Sequence, residues 1–372
     1  KTTSMLRKVD GLQDPRPAGA TTTLCTQPRT GTVAIATNQN NEHTVSTKNA
    51  LDMLQELVKD ELLAVNHTIV NRMQSSVNMI PHLAGHLISA GGKRLRPILT
   101  LLCSRLCGYH GTRHIPLAAC VEFIHTATLL HDDVVDDSSL RRGNESANVL
   151  WGNQASVLVG DFLFSRAFQI MVEDGSLRVL EILSSASAVI AEGEVQQLAN
   201  ANNLNISEQN CLEVITAKTA TLFAAACEIG SVVANQPPHI SRALASFGLN
   251  FGISFQLIDD TIDYAASESI IGKTVGDDFR EGKVTLPVLL AYMRGGPKDH
   301  LFWKRTIERG DLREDDLAHA IGLMKKHEVL EDVRTAAAEY VTAACDALEA
   351  FPPSPERDSL VEAAKFCTIR AY

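Results

Sequence analysis

Apolar residues recur at three- and four-residue spacing almost without interruption from about Lys48 to Tyr372, and this pattern is the strongest constraint on the fold. Alternating β-branched runs, which are typical of strands, are very few. We therefore expect an all-α fold, with one large domain over 49–372 because no repeat or change in composition divides that region. The spacing predicts helices over 49–73, 75–90, 97–108, 115–138, 148–173, 176–202, 208–234 and 240–266, with shorter helices after them.

Residues 1–48 have a different composition. They are rich in threonine, asparagine, glycine and proline, and carry six basic and three acidic side chains. Such a segment is typical of a disordered tail or a targeting segment, although it contains no arginine-rich amphipathic helix. A cytoplasmic location is expected if the protein is bacterial and a mitochondrial matrix location if it is eukaryotic.

The overall charge and hydropathy exclude several classes of function. The chain carries 34 basic and 44 acidic side chains, a formal charge of −10, which argues against nucleic acid as a partner. No apolar run approaches the length of about 18 residues needed for a transmembrane segment. The eight cysteines are scattered through apolar stretches, which indicates a reducing compartment and buried thiols.

One group of cysteines and histidines has the approximate spacing of a zinc site. It consists of Cys103, Cys107, His110 and His114. The two cysteines lie in the apolar run ILTLLCSRLCGY, where burial explains them, and Gly108 separates the histidines from that run. Burial is the favoured interpretation.

Two aspartate clusters carry the strongest chemical signal. LLHDDVVDD contains Asp132, Asp133, Asp136 and Asp137, and FQLIDDTID contains Asp259, Asp260 and Asp263. Residues four apart on a helix lie about 6 Å from each other, so each cluster presents two carboxylates side by side. Their repulsion on an apolar helix is tolerable if a cation lies between them, and Mg²⁺ prefers such oxygen ligands. The alternative is a solvated acidic face, which two copies 127 residues apart make less favoured.

Basic residues beside these clusters indicate a diphosphate-binding site, because protein-bound Mg²⁺ usually shares its coordination with substrate phosphate. Any one of these bases alone would be a surface residue. The set is Lys93, Arg94 and Arg96 in GGKRLRP, Arg141 and Arg142 in SSLRRG, Lys218 in AKTA, Lys273 in IGKT and Lys283 in EGKVTLP.

Two further polar residues have two open interpretations each. His125 lies seven residues before Asp132 on nearly the same helix face and is either a core histidine or a phosphate donor. Gln256 lies one turn before Asp260 and contacts either the metal site or solvent.

Together, GGKRLRP, LLHDDVVDD followed by LRRG, AKTA, FQLIDDTID, and GK followed by EGKVTLPV closely resemble the trans-isoprenyl diphosphate synthases over residues 50–372. The resemblance implies antiparallel helices around a deep central cavity, usually in a homodimer, with three Mg²⁺ ions in each active site. It implies that Asp132, Asp136, Asp259, Lys218 and Arg141 carry the chemical step. Metal ligands would be Asp132, Asp136 and Asp259, supported by Asp133, Asp260 and Asp263. The allylic diphosphate would bind Arg141, Lys218, Lys273, Thr219, Gln256 and Lys283, and isopentenyl diphosphate would bind Lys93, Arg96, His125 and Arg142.

The resemblance also implies a reaction. Ionisation of the allylic diphosphate gives a cation that the double bond of isopentenyl diphosphate attacks, and the released diphosphate takes the proton. In short-chain members an aromatic residue four or five places before the first aspartate blocks the cavity. Here those positions are Thr128 and Ala127, both small, so we expect a long product of octaprenyl to decaprenyl length for a quinone side chain.

Three alternatives fit less well. A class I terpene cyclase would not need a second diphosphate site such as GGKRLRP and Arg142 provide. A regulatory subunit of a heteromeric synthase would be expected to have lost one aspartate cluster. A structural helical protein would leave the clustered bases unexplained.

Overall fold

The structure, a computed structural model, describes residues 51–89, 92–141, 143–265 and 275–369. The 1–48 segment and two predicted diphosphate-binding residues, Arg142 and Lys273, lie outside these ranges.

Helices make up nearly all of the described chain. Residues 51–57 are helical. The helices that follow are α1 (Lys59–Arg72), α2 (Met79–Ser89), α3 (Leu95–Leu106), α4 (His114–Val135), α5 (Ala147–Trp151), α6 (Asn153–Asp174), α7 (Leu177–Asn200), α8 (Glu208–Ile215), α9 (Thr221–Val233), α10 (Pro238–Ala265), α11 (Asp277–Arg280), α12 (Leu286–Arg294), α13 (Pro297–Trp303), α14 (Asp316–Lys326), α15 (Val329–Ala347) and α16 (Pro355–Ile369). Two π-helical turns, Thr216–Ala220 and Lys304–Glu308, and a 3₁₀ turn, Leu348–Ala350, interrupt them.

Within the described ranges, strand structure is limited to one antiparallel pair, β1 (Leu140–Arg141) and β2 (Asn144–Glu145), in which Leu140 pairs with Glu145. This hairpin occupies the polar connection after the first aspartate cluster. The predicted all-α class is therefore confirmed.

The predicted helices differ from the observed ones mainly at their ends. The predicted helix 148–173 is divided at Gly152, which has a φ of 84°, into α5 and α6. The predicted helix 208–234 is one continuous helical run, but it contains the π turn at Thr216–Ala220. Spacing of apolar residues reports neither feature, because both are local changes in the backbone that leave the buried face in place.

Three successive pairs of long helices are antiparallel, as contacts at both ends show. Arg113, just before α4, bonds Asp174 at the end of α6, and His131 near the end of α4 contacts the carbonyl of Val157 near the start of α6. Contacts Arg178–Glu228 and Lys218–Glu194 relate α7 to the α8–α9 run in the same way. Contacts Ser231–Ser241 and Thr219–Gln256 do so for α9 and α10. The helices thus form an up-and-down bundle with its main apolar core between them.

One helix meets the length and composition criteria for a membrane span, although no apolar run of that length was expected. Among the described residues, only α6 has the length and apolar composition that would allow a helix to cross a membrane. Its best window has a mean hydropathy of 1.4. Two charged residues, Asp161 and Arg166, interrupt its apolar run without lowering that mean enough to exclude it. About 44% of that window is buried in the bundle, and a core helix of a soluble protein meets the same criterion.

The expected burial of the cysteines holds for most of those described. Cys103, Cys120, Cys211, Cys227 and Cys367 are buried, and Cys107 and Cys345 are half-buried. Of the four residues with zinc-like spacing, His114 begins α4 and lies against the ring of Tyr109 and the carboxylate of Glu61.

Candidate active site

The two aspartate clusters end α4 and α10, and side chains from neighbouring elements connect them. Asp132 and Asp133 lie in the last turn of α4, and Asp136 follows it directly. Asp259, Asp260 and Asp263 lie in the last two turns of α10. The π turn and the segment after α11 contact the first cluster, α11 contacts the second, and residues of α7 contact the lysine of the π turn. The sequence pattern predicted the clusters, but only the folded bundle brings the residues that surround them together.

The π turn Thr216–Ala220 aims Lys218 at the first cluster. Its Nζ lies 3.7 Å from Asp132, 2.7 Å from Glu194 and 2.9 Å from the amide oxygen of Gln197. Insertion of one extra residue into a helical turn rotates the side chains that follow, and such turns are frequent at functional sites. The AKTA motif is therefore the place where the helix changes its winding.

Glycine at position 193 allows α7 to approach this turn closely. A Cβ atom there would lie 2.7 Å from Cβ of Ala217 and 3.1 Å from the backbone nitrogen of Lys218. Glu194, the next residue, and Gln197, one turn further along α7, consequently reach the ammonium group of Lys218. Sequence reasoning missed both residues, since GEVQQ has no motif of its own; a carboxylate within the apolar pattern of a helix was the available signal.

A chain of hydrogen bonds joins the π turn to the second cluster. The hydroxyl of Thr219 donates to the side-chain oxygen of Gln256 at 2.9 Å, and the amide nitrogen of Gln256 donates to Asp260 at 2.7 Å. Asp260 is almost completely buried. Of the two open interpretations of Gln256, the contact with the second cluster is thus the one observed.

Lys283 links the segment after α11 to the first cluster. Its Nζ lies 2.8 Å from Asp136 and 2.6 Å from Glu281. Burial opposes the charge of this ammonium group, but the carboxylates of Asp136 and Asp278 outweigh it and raise the pKa of Lys283. The backbone nitrogen of Asp278, within α11, also donates to Asp263 at 3.2 Å, so α11 and the segment after it together contact both clusters.

Arg141 in the β hairpin and Asp133 are partners of each other. The guanidinium donates to Asp133 through Nε at 2.8 Å and through a second nitrogen. Asp133 is fully buried, while Arg141 is about a quarter exposed. Asp133, which was expected to support the metal, and Arg141, which was expected to bind diphosphate, therefore form one ion pair. This pair fixes the hairpin beside the first cluster.

The bases expected to bind isopentenyl diphosphate lie at the start of α3, beside the middle of α4. Arg96 is half-buried, with a nitrogen 3.4 Å from Nε2 of His125 and its guanidinium carbon 4.1 Å from the ring centre of Phe223. Lys93 is exposed. His125 is thus adjacent to the guanidinium of a residue expected to bind isopentenyl diphosphate.

Several carboxyl groups at the site resist ionisation. Burial raises the pKa of Glu194 to about 7, and the nearby Asp132 adds to this effect. Burial also raises the pKa of Asp263 to about 7, with a further contribution from Asp278. Burial is also the main cause that raises the pKa of Asp132 and that of Asp260. Concentrated carboxylates with raised pKa values are typical of a site built for a cation or for catalysis.

The residues expected to control product length lie one turn or more below the first cluster on α4. Ala127 is fully buried, and Thr128 is half-buried with its hydroxyl donating to the carbonyl of His125 at 2.7 Å. Ile124 and Val121, further down, are also fully buried. The small size of Ala127 and Thr128 stays the basis of the length prediction.

The donor set fits Mg²⁺ better than a metal held by protein alone. Within the described ranges, no three histidine, cysteine, aspartate or glutamate side chains converge closely enough to hold an ion. Mg²⁺ is usually bound through one or two carboxylates, with water and substrate phosphate completing its octahedron. The pair Asp132 and Asp136 and the second cluster offer such partial sets.

Comparison with known proteins gives concordant results. The sequence model described as polyprenyl synthetase matches residues 77–324. The octaprenyl diphosphate synthase of Escherichia coli K12 is 44% identical over 320 residues, which are 86% of this chain and 99% of that protein.

Solved structures give the same result. A polyprenyl synthase from Caulobacter crescentus, complexed with calcium and isoprenyl diphosphate, is 51% identical, covers 87% of this chain and 98% of its own, and has a TM-score of 0.84. A decaprenyl diphosphate synthase from Rhodobacter capsulatus is 49% identical, covers 87% and 99%, and has a TM-score of 0.83.

Proposed function

The chain belongs to the polyprenyl synthetase family, and from this premise we propose that it condenses isopentenyl diphosphate repeatedly onto an allylic diphosphate in a Mg²⁺-dependent reaction. It is a prenyltransferase of the long-chain polyprenyl diphosphate synthase type. The 49–372 region is its catalytic domain, and the product supplies the side chain of a quinone.

One observation carries the proposal: Lys218 contacts Asp132 and Lys283 contacts Asp136 in the first aspartate pair. The elements that carry these lysines also reach the second cluster, through Gln256 from Thr219 and directly from the backbone of Asp278. Acidic and basic groups therefore alternate around a single region. A diphosphate needs bases for its oxygens and a metal for the charge that remains, and both kinds of group are present.

The residues of the chain have separable tasks in this reaction. Lys218 and Lys283 bind oxygens of the allylic diphosphate and stabilise the charge that develops as its C–O bond breaks. Arg96, with His125 beside it, binds the second diphosphate at the start of α3. The apolar side chains of α4 surround the allylic cation and exclude water, which would otherwise quench it.

Magnesium would be held by Asp132 and Asp136 on one side and by Asp259 on the other, with Asp133, Asp260 and Asp263 in support. When bound, Mg²⁺ supplies neutralising charge to the departing diphosphate. The raised pKa values of Asp132 and Asp263 favour this assignment, because burial and then neighbouring carboxylates oppose their ionisation, and a cation between the carboxylates would offset both effects.

A homodimer is proposed from the outer face of α6 and α7. Leu158 and Val172 on α6 are 66% and 68% exposed, and Val195 and Leu198 on α7 are 67% and 65% exposed. Large apolar side chains gathered on adjacent exposed helices mark a protein interface. Size-exclusion chromatography with light scattering should give a dimer, and Leu158→Glu should shift it toward monomer; a monomeric wild type would contradict the proposal.

The direct test of the activity is incubation of the purified chain with labelled isopentenyl diphosphate, farnesyl diphosphate and Mg²⁺, followed by sizing of the products. We expect octaprenyl to decaprenyl products that require the metal. Mainly geranylgeranyl product would refute the predicted length, and no product with any allylic primer would refute the activity.

A further inference from the structure

A buried ion pair lies next to the bases expected to bind isopentenyl diphosphate. Arg94 donates to a carboxylate oxygen of Glu122, and the two side chains are only 12% and 7% exposed. Burying two charges is costly, and a pair of apolar residues would often serve stability as well. The pair therefore calls for an explanation other than stability.

The backbone at Arg94 points to positioning. Arg94 has a φ of 49° and a ψ of 33°, a left-handed conformation that residues other than glycine and asparagine adopt rarely. Its carbonyl accepts the backbone N–H of Ile98 at 3.0 Å and so begins the hydrogen bonding of α3. A conformation of this kind persists where the surrounding contacts impose it, and it is often found at functional sites.

The ion pair is accompanied by a second contact between this segment and the same face of α4. Arg94 contacts Glu122, and Arg96, two residues later, contacts His125. Glu122 and His125 are three residues apart on α4 and hence lie on the same face. Two points of attachment prevent the segment from turning about either one. Lys93, which is exposed, and Arg96 precede and follow Arg94 in the chain, so this attachment constrains the backbone that carries both.

We propose that the Arg94–Glu122 pair is a positioning device for isopentenyl diphosphate: it holds Lys93 and Arg96 in the arrangement that binds this second diphosphate. The inference rests on the proposed function, which assigns that substrate to these bases. It assigns roles to two residues that contact no predicted metal ligand. Arg94 is only 12% exposed, less than Lys218 and Lys283, so we assign it a positioning role and not contact with the diphosphate itself.

The test measures the KM of each substrate separately in Glu122→Gln, Arg94→Met and Arg94→Lys. Glu122→Gln and Arg94→Met should each raise the KM for isopentenyl diphosphate about tenfold or more, while the KM for the allylic diphosphate changes less than about twofold, since only one site is disturbed. Arg94→Lys should restore the KM to within about threefold of wild type, because a single nitrogen makes the contact with Glu122.

A matched control is available in a second buried ion pair, between Arg305 and Asp316, with nitrogen–oxygen distances of 2.6 and 2.8 Å and side chains 21% and 10% exposed. Asp316→Asn should lower the thermal stability but leave both KM values unchanged. Melting curves of all variants identify any that fail to fold.

Three outcomes would overturn the inference: unchanged KM values in folded Glu122→Gln, equal increases for both substrates, or an increase confined to Arg94→Met. The last result would make Arg94 a direct ligand, because removal of its carboxylate partner would then leave binding intact. These outcomes require an active wild type, so failure of the inference is distinguishable from failure of the proposed function, in which the wild type itself gives no product.

Discussion

Replacement of Glu194 by glutamine should stabilise the protein at neutral and alkaline pH. The carboxyl group lies on α7 against Lys218, and its side chain is 27% exposed. Burial and the nearby Asp132 raise its pKa from 4.5 to about 7. Glutamine has the same shape and still offers an oxygen to Lys218, so the substitution removes mainly the charge.

The magnitude follows from the pKa. A difference between 4.5 and about 7 corresponds to about 3 kcal/mol, at about 1.4 kcal/mol for each pKa unit. Because the side chain is partly exposed and interacts with other ionisable groups, we expect about 1–3 kcal/mol of stabilisation by Glu194→Gln at pH 8. This corresponds to a Tm increase of a few degrees, since 1 kcal/mol shifts Tm by about 2–4 °C even in somewhat smaller domains.

The pH dependence has a definite sign. The folded chain binds the Glu194 proton more tightly than the unfolded chain, so this contribution to stability is fully present below pH 4.5 and is lost as the pH rises through about 7. The advantage of Glu194→Gln should therefore be small near pH 5 and largest at pH 8. Melting curves at both pH values measure it.

The control is Glu192→Gln, which changes an exposed residue on the same helix and should leave Tm unchanged at both pH values. A Glu194→Gln variant that is no more stable than wild type at pH 8, or whose advantage is the same at pH 5, would refute the electrostatic reasoning.

Three further predictions concern catalysis. Asp132→Ala and Asp259→Ala should each lower turnover by orders of magnitude with the helical circular dichroism unchanged. Asp137→Asn changes an exposed residue at the edge of the first cluster and should retain activity. Normal turnover in either alanine variant would contradict the metal assignment. Ala127→Phe should shorten the products, because it introduces an aromatic residue at the fully buried position, five places before the first aspartate, where the resemblance expects one to block the cavity; an unchanged product ladder would refute that. Removal of Mg²⁺ with a chelator should abolish turnover. It should also lower Tm more at pH 8 than at pH 5.5, because carboxylates such as Asp263, with a pKa of about 7, are largely ionised and repel their neighbours at the higher pH.

The amino-acid sequence determined the fold class and the two aspartate clusters. Helical spacing of apolar residues is a property of neighbouring positions, and a cluster such as Asp132 with Asp136 lies within one turn. The bases of GGKRLRP and AKTA are also visible as motifs, so the sequence alone names most residues of the candidate site. The resemblance to trans-isoprenyl diphosphate synthases supplied their expected roles.

Tertiary structure alone decided which of these residues are partners. The π turn that aims Lys218 at Asp132, the recruitment of Glu194 from α7 and the pairing of Arg94 with Glu122 each join segments that are far apart in the chain. No local pattern encodes such contacts, because they depend on how closely two helices approach, which Gly193 sets for α7 and the π turn. The raised pKa values likewise arise from burial and from neighbours that only the folded chain brings together.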